Sequence, residues 1–143
     1  MIRVVRAVPG SAELAACLKL RFAVFVAEQG VPADQELDAL DETALHVLAL
    51  HGDDAVGTAR AVEKAPGVWK IGRVAVAAPW RRRGIGKSLM RGIEAETQGR
   101  VFLLDAQTHA IGFYETLGYA AEGPEFLDAG IPHRLMRKDA SAR

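Results

Sequence analysis

The sequence holds one cysteine, Cys17, so an internal disulfide is excluded. It has no apolar run long enough to span a bilayer. Met1 to Ala7 scatters Arg3 and Arg6 among apolar residues and lacks the hydrophobic stretch of a signal peptide. Net charge is also lacking: 18 Lys plus Arg balance 18 Asp plus Glu. That removes any global pull toward nucleic acid or an anionic membrane. Repeats, low-complexity tracts and interdomain linkers are absent too. These absences point to a cytoplasmic chain with neither nucleic acid nor membrane as partner. What is present, 143 residues of which half are apolar and a quarter charged, suits one domain over 1–143 with a single core.

The balanced charge is unevenly spread. No Lys or Arg stands between Arg21 and Arg60, a stretch that holds Glu28, Asp34, Glu36, Asp38, Asp41, Glu42, Asp53 and Asp54. Arg81, Arg82, Arg83, Lys87 and Arg91 then crowd into about three helical turns of chain. One region could suit a cation and the other an anion, or both are solvated surface.

Val4 to Val8 reads as a first strand. Ser11 then caps a helix whose apolar positions, Leu14, Cys17, Leu18, Phe22, Phe25 and Val26, recur at helical spacing through to Glu28. Gly30 and Pro32 break it, and an acidic irregular loop runs to Glu42. Ala44–Leu50 and Val56–Val62 form a hairpin, and Val68–Val76 is the next strand. Gly84 opens a helix with Ile85, Leu89, Met90 and Ile93 on its buried face, and Gly99 is placed as its left-handed C-terminal residue. Val101–Leu104 is a short strand, Ala110–Leu117 a helix, and His133–Lys138 a last strand. The order β-α-β-β-β-α-β-α-β predicts a mixed α/β fold, helices packed on a mixed sheet.

The segment Arg81-Arg82-Arg83-Gly84-Ile85-Gly86-Lys87-Ser88 follows a strand and starts a helix. Two glycines let the backbone approach a ligand, and the free N–H groups and dipole of the helix start favour an anion such as a pyrophosphate. A nucleotide P-loop would need glycine where Arg81 stands. A dinucleotide fingerprint fails at Leu89, which occupies its third glycine position. The pattern Arg/Gln-x-x-Gly-x-Gly/Ala of acyl-CoA transferases fits Arg81, Gly84 and Gly86. A capped helix with basic surface residues is the plain alternative.

Further on stands Gly112-Phe113-Tyr114-Glu115-Thr116-Leu117-Gly118-Tyr119. With both motifs in register from Ile71 to Tyr119, the chain resembles the GCN5-related N-acetyltransferase (GNAT) superfamily. Leu20-Arg21, Val24-Phe25-Val26, Glu28-Gln29, Glu36, Asp38, Asp41, His46 and Gly130-Ile131-Pro132-His133 with Met136 resemble its ElaA-like branch. The resemblance implies a largely antiparallel mixed sheet, splayed between its fourth and fifth strands, with helices on both faces. It implies acetyl-CoA as cosubstrate, no metal, and an amine acceptor on a small molecule or peptide; a homodimer is compatible with it. Val74, Ala75 and Val76 would bond pantetheine through their backbone. The loop Arg81, Arg82, Arg83, Gly84, Ile85, Gly86, Lys87 and Ser88 would hold the pyrophosphate, with Phe113 beside it. His109 stands where many members place a pantetheine-contacting Asn.

Transfer to an amine requires a stabilised oxyanion, for which the Val76 N–H is a candidate, and a proton for the leaving thiolate. Tyr114 matches the family's general acid. Glu28, His46 and His133 are candidate bases, and a water chain is another. Transfer of a longer acyl group, transfer to a hydroxyl, and a CoA-binding sensor without turnover are the rival readings.

Overall fold

A computed structural model describes residues 1–140. Among the described residues, seven strands form one sheet in the order β1-β2-β3-β4-β5-β7-β6: β1 Ile2–Ala7, β2 Leu45–His51, β3 Asp54–Ala65, β4 Val68–Val76, β5 Val101–Gln107, β6 Ala120–Asp128 and β7 Ile131–Asp139. All neighbours are antiparallel except β4 and β5, which run parallel. The helices are α1 Ala12–Arg21, α2 Ala33–Glu36, α3 Ile85–Thr97 and α4 Ile111–Thr116.

Alternation along β2 separates the two faces of the sheet. Val47 and Ala49 join Ile85, Leu89, Met90 and Ile93 of α3 in the main core. Leu48 faces the other way, into a smaller cluster with Cys17 and Leu14 of α1. Cys17 is fully buried and packs as a small hydrophobe. Gly57 lets α3 lie close on β3, because a Cβ there would meet Leu89 Cδ1 at 2.9 Å.

Ser11 caps α1, accepting from the Leu14 amide at 3.1 Å. The helix continues beyond Arg21 as a π-helical segment, Phe22–Glu28, in which the Gln29 amide reaches back five residues to the Val24 carbonyl. The acidic stretch expected to be irregular contains α2 and a 3₁₀ turn, Ala39–Glu42, closed by an Asp38/Asp41 capping box.

Two further expectations are corrected. The expected order lacks strand β6: Gly123 and Pro124 interrupt its pattern, and its register with β7 jumps between Glu122 and Phe126. The left-handed residue ending α3 is Gln98, at φ 50°, not Gly99. Gly99 answers to packing instead, since a Cβ there would sit 2.7 Å from Trp69 Cδ1.

The sheet parts in its middle. Parallel pairing of β4 with β5 stops at Ile71 opposite Leu104. Beyond that point β4 stays with β3 as far as Val76 opposite Gly57, while β5 stays with β7 as far as Gln107 opposite His133. A bulge helps to turn β4 away: Arg73 and Val74 stand against Ala59 alone, and Arg73 takes a left-handed φ of 52°.

Candidate active site

The gap between β4 and β5 opens into a cavity of about 1190 Å³. The far half of β4, the loop into α3, the end of β5, α4, the π-helical segment and the β6–β7 hairpin all contribute to its wall.

On one side Arg82 and Gly84 both adopt left-handed backbone, at φ 64° and 80°. Alternating hands turn successive N–H groups toward one concavity, the nest geometry that receives anions. The first intrahelical backbone bond of α3 is Ser88 N–H to the Gly84 carbonyl, 3.1 Å, so the amides of residues 85–87 precede it and remain for a ligand. The space a Cβ of Gly84 would occupy has no atom within 4 Å. Arg81, Arg82, Gly84, Ile85, Gly86 and Lys87 all line the cavity. The other two loop residues face elsewhere: Arg83 lies over the Trp80 ring at 5.1 Å, and the Ser88 hydroxyl donates to the Gly84 carbonyl at 3.2 Å. Val74, Ala75, Val76, His109 and Phe113 are on the wall. Gly86 and Phe113 fix the spacing of α3 and α4, because a Cβ on Gly86 would come within 3.0 Å of the Phe113 ring.

Tyr114 projects from α4 into the same cavity. Its ring packs edge-on against Phe113 at 5.0 Å and Tyr119 at 6.1 Å. Burial pushes its phenol up to about 12, so it keeps its proton at neutral pH.

Of the three candidate bases, two reach this cavity. Glu28, at the end of the π-helical segment, accepts from Arg81 at 2.7 Å. His133, on β7, lines the cavity and stacks on Phe126 at 5.9 Å. Its Nδ1 lies 2.6 Å from the Ile131 carbonyl. A carbonyl only accepts, so Nδ1 carries the hydrogen and the neutral ring has its lone pair on Nε2.

His46 is elsewhere. It is 1% exposed, is not on the cavity wall, and donates from Nε2 to the Asp41 carbonyl at 2.9 Å. Its Nδ1 is buried without a partner among the described residues. Burial, with Arg21 and Arg60 nearby, depresses its pKa against the opposing pull of Asp41. His46 thus packs behind the cavity wall and not on it.

The support of that wall takes up three of the eight carboxylates in the acidic stretch. Arg21, wholly buried, donates to Glu36 at 2.7 Å and to both oxygens of Asp41 at 2.7 and 3.1 Å. Arg60 bridges Asp38 and Asp41 at 2.7 and 2.9 Å. Arg73 reaches Glu36 at 3.2 Å and Asp38 at 3.4 Å. Three guanidiniums thus neutralise three carboxylates. Burial alone would raise the Asp41 carboxyl, yet bonds from Arg21, the Asp38 amide and Arg60 hold it well below the usual range. Arg21, Glu36, Asp38 and Asp41 of this clasp stand in the recognised patches, but nothing in the sequence pairs them with one another or with Arg60 and Arg73, nor joins Gln29 to Gln107 in the reciprocal pair whose contacts of 2.9 and 3.4 Å lie at the cavity wall. Gln29 belongs to a recognised patch; Gln107 carries no signal in the sequence.

A sheet parted between two parallel strands, with an anion nest at one lip and a buried tyrosine beside it, is the arrangement that the resemblance to acyltransferases implies. The chain belongs to the family described as the acetyltransferase (GNAT) domain, whose model matches residues 13–140. It is 40% identical over 124 residues to the uncharacterized N-acetyltransferase YjcF of Bacillus subtilis, covering 84% of this chain and 88% of that one. Among solved structures it is similar to Escherichia coli ElaA, with TM-score 0.86, 30% identity, and coverage of 97% and 100% of the two chains. It is also similar to an acyl-CoA N-acyltransferase from Pseudomonas aeruginosa, with TM-score 0.83, 29% identity, and coverage of 96% and 99%.

Proposed function

We propose that the chain transfers an acetyl group from acetyl-CoA to a primary amine of a small molecule or peptide in the cytoplasm, by direct attack. The observation that carries this reading is the shared cavity of the left-handed nest at Gly84, the free flank of β4 and the Tyr114 ring. The diphosphate sits on the amides of 85–87 with Arg81, Arg82 and Lys87 around it. Pantetheine lies along Val74–Val76, taking the place that β5 leaves vacant. The thioester then reaches Tyr114.

The neutral amine attacks the thioester carbonyl, forming the C–N bond, and the oxyanion is stabilised by the Val76 N–H. The C–S bond breaks as Tyr114 passes its proton to the departing sulfur. The raised phenol pKa does not make this transfer hopelessly uphill, because the desolvation that disfavours a phenolate also disfavours a bare thiolate. Once bonded to carbon the nitrogen is cationic, and it gives its surplus proton to His133 Nε2, the candidate whose lone pair is left free, or to water; solvent returns a proton to the Tyr114 oxygen, so the products are the amide and free thiol. The clasped carboxylates Glu36, Asp38 and Asp41 give a cationic acceptor little support, since they already meet arginines.

The experiment is an acceptor screen with acetyl-CoA that reads free thiol and identifies the product by mass. N-acetylated product is the expected result. Binding of acetyl-CoA with no thiol release across a broad panel of amines would overturn the reading.

A further inference from the structure

Arg81 opens the anion loop, yet its guanidinium is turned toward β4 and the π-helical segment. Nε donates to the Val76 carbonyl at 3.0 Å and a terminal nitrogen donates to Glu28 at 2.7 Å. One side chain therefore links the end of β4, the π-helical segment and the loop before α3. Glu28 and Arg81 have no other ion-pair partner among the described residues. A cation of the anion loop and a carboxylate of the cavity wall are thus cancelling each other. Both are partly exposed, Arg81 at 43% and Glu28 at 39%, so either can change partner without a buried charge being stranded.

We propose that Glu28 and the donor's diphosphate compete for Arg81, so that loading of acetyl-CoA releases Glu28 to receive the acceptor's ammonium group. The inference rests on the reading of the loop as the diphosphate site. A diphosphate carries more negative charge than one carboxylate and offers several oxygens to a guanidinium fork, so it wins the exchange. Glu28 then stands unpaired on the cavity wall, and its charge is displayed only when an acyl donor is present. Linkage makes the coupling mutual: whatever engages Glu28 also favours the donor.

The test is a double-mutant cycle on coenzyme A affinity, by calorimetry at low salt. Glu28→Gln keeps the size of the side chain and removes its charge. Because it removes a competitor worth only an exposed ion pair, coenzyme A should bind about two- to fivefold more tightly to the variant than to the wild type. In an Arg81→Gln background, which itself weakens binding, the same Glu28 change should have no effect. Unchanged or weaker binding by Glu28→Gln, with wild-type binding intact, would overturn the competition and leave the donor site standing. An equal gain with and without Arg81 would reduce it to a general charge effect and overturn it as well. If the wild-type chain binds no coenzyme A, the donor reading falls and takes the competition with it.

Discussion

At the scale of single residues, Tyr114 separates chemistry from packing. Its ring touches Phe113 and Tyr119, so Tyr114→Phe keeps the aromatic contacts and deletes only the proton. Turnover should fall about 10²–10⁴-fold while acetyl-CoA affinity stays within about twofold of wild type. Steady-state rates under conditions where chemistry is limiting, with calorimetry on the same protein, give both quantities. Near-normal turnover would leave the tyrosine as packing. Tyr119, its neighbour, is tied up elsewhere. Its hydroxyl donates to Glu94 at 2.8 Å, and burial together with that carboxylate raises its pKa far beyond neutrality.

At the scale of elements, α2 and the 3₁₀ turn after it are held by charge more than by apolar contact. The clasp fastens residues 36–41 onto α1, β3 and β4 and so forms part of the cavity wall. Removing one partner strands the others: Arg21→Ala leaves Glu36, itself 3% exposed, without its main cation. The expected loss is about 3–5 kcal/mol of stability, measured by chemical denaturation. A loss below about 1 kcal/mol would mean that the wall rests on its packing. The same elements show where sequence reasoning reaches and where it stops. The helix α3 and strand β4 are legible because periodicity and glycine placement are local signals. The clasp is not, because Arg21 meets partners 15 and 20 residues away, and spacing in sequence says nothing of that meeting. Its carboxylates therefore look like free acidic surface. His46 looks like a candidate base because a histidine in an apolar strand carries no mark of which side it faces. The π-helical segment escapes too, since the apolar spacing from Leu14 to Val26 reads as ordinary helix.

At the scale of the whole molecule, stability should fall on acidification in two stages. His46 has a pKa depressed below 6.5, chiefly by burial, so the unfolded chain takes its proton first. Stability is thus lost as pH falls from about 6.5 toward the folded value. Asp38 and Asp41 are also depressed; burial opposes the shift, and hydrogen bonds from the arginines outweigh it. Their contribution is present above about pH 4 and is lost as pH falls through their lower folded values. Melting temperatures between pH 7.5 and 3 should show both stages. A flat curve from pH 7 to 5 would remove His46 from the account.

The parting of β4 from β5 also has a consequence in time. Amides of residues 72–76 that turn away from β3 have no strand to hold their hydrogens, so they should trade them for deuterium far faster than those bonded to β3. A pantetheine arm laid along that flank supplies the missing carbonyl partners. Saturating acetyl-CoA should slow exchange on that flank alone and leave the β3 side unchanged. A strand that ages at two speeds, brought to one speed by its ligand, would report donor binding with no acceptor in the tube.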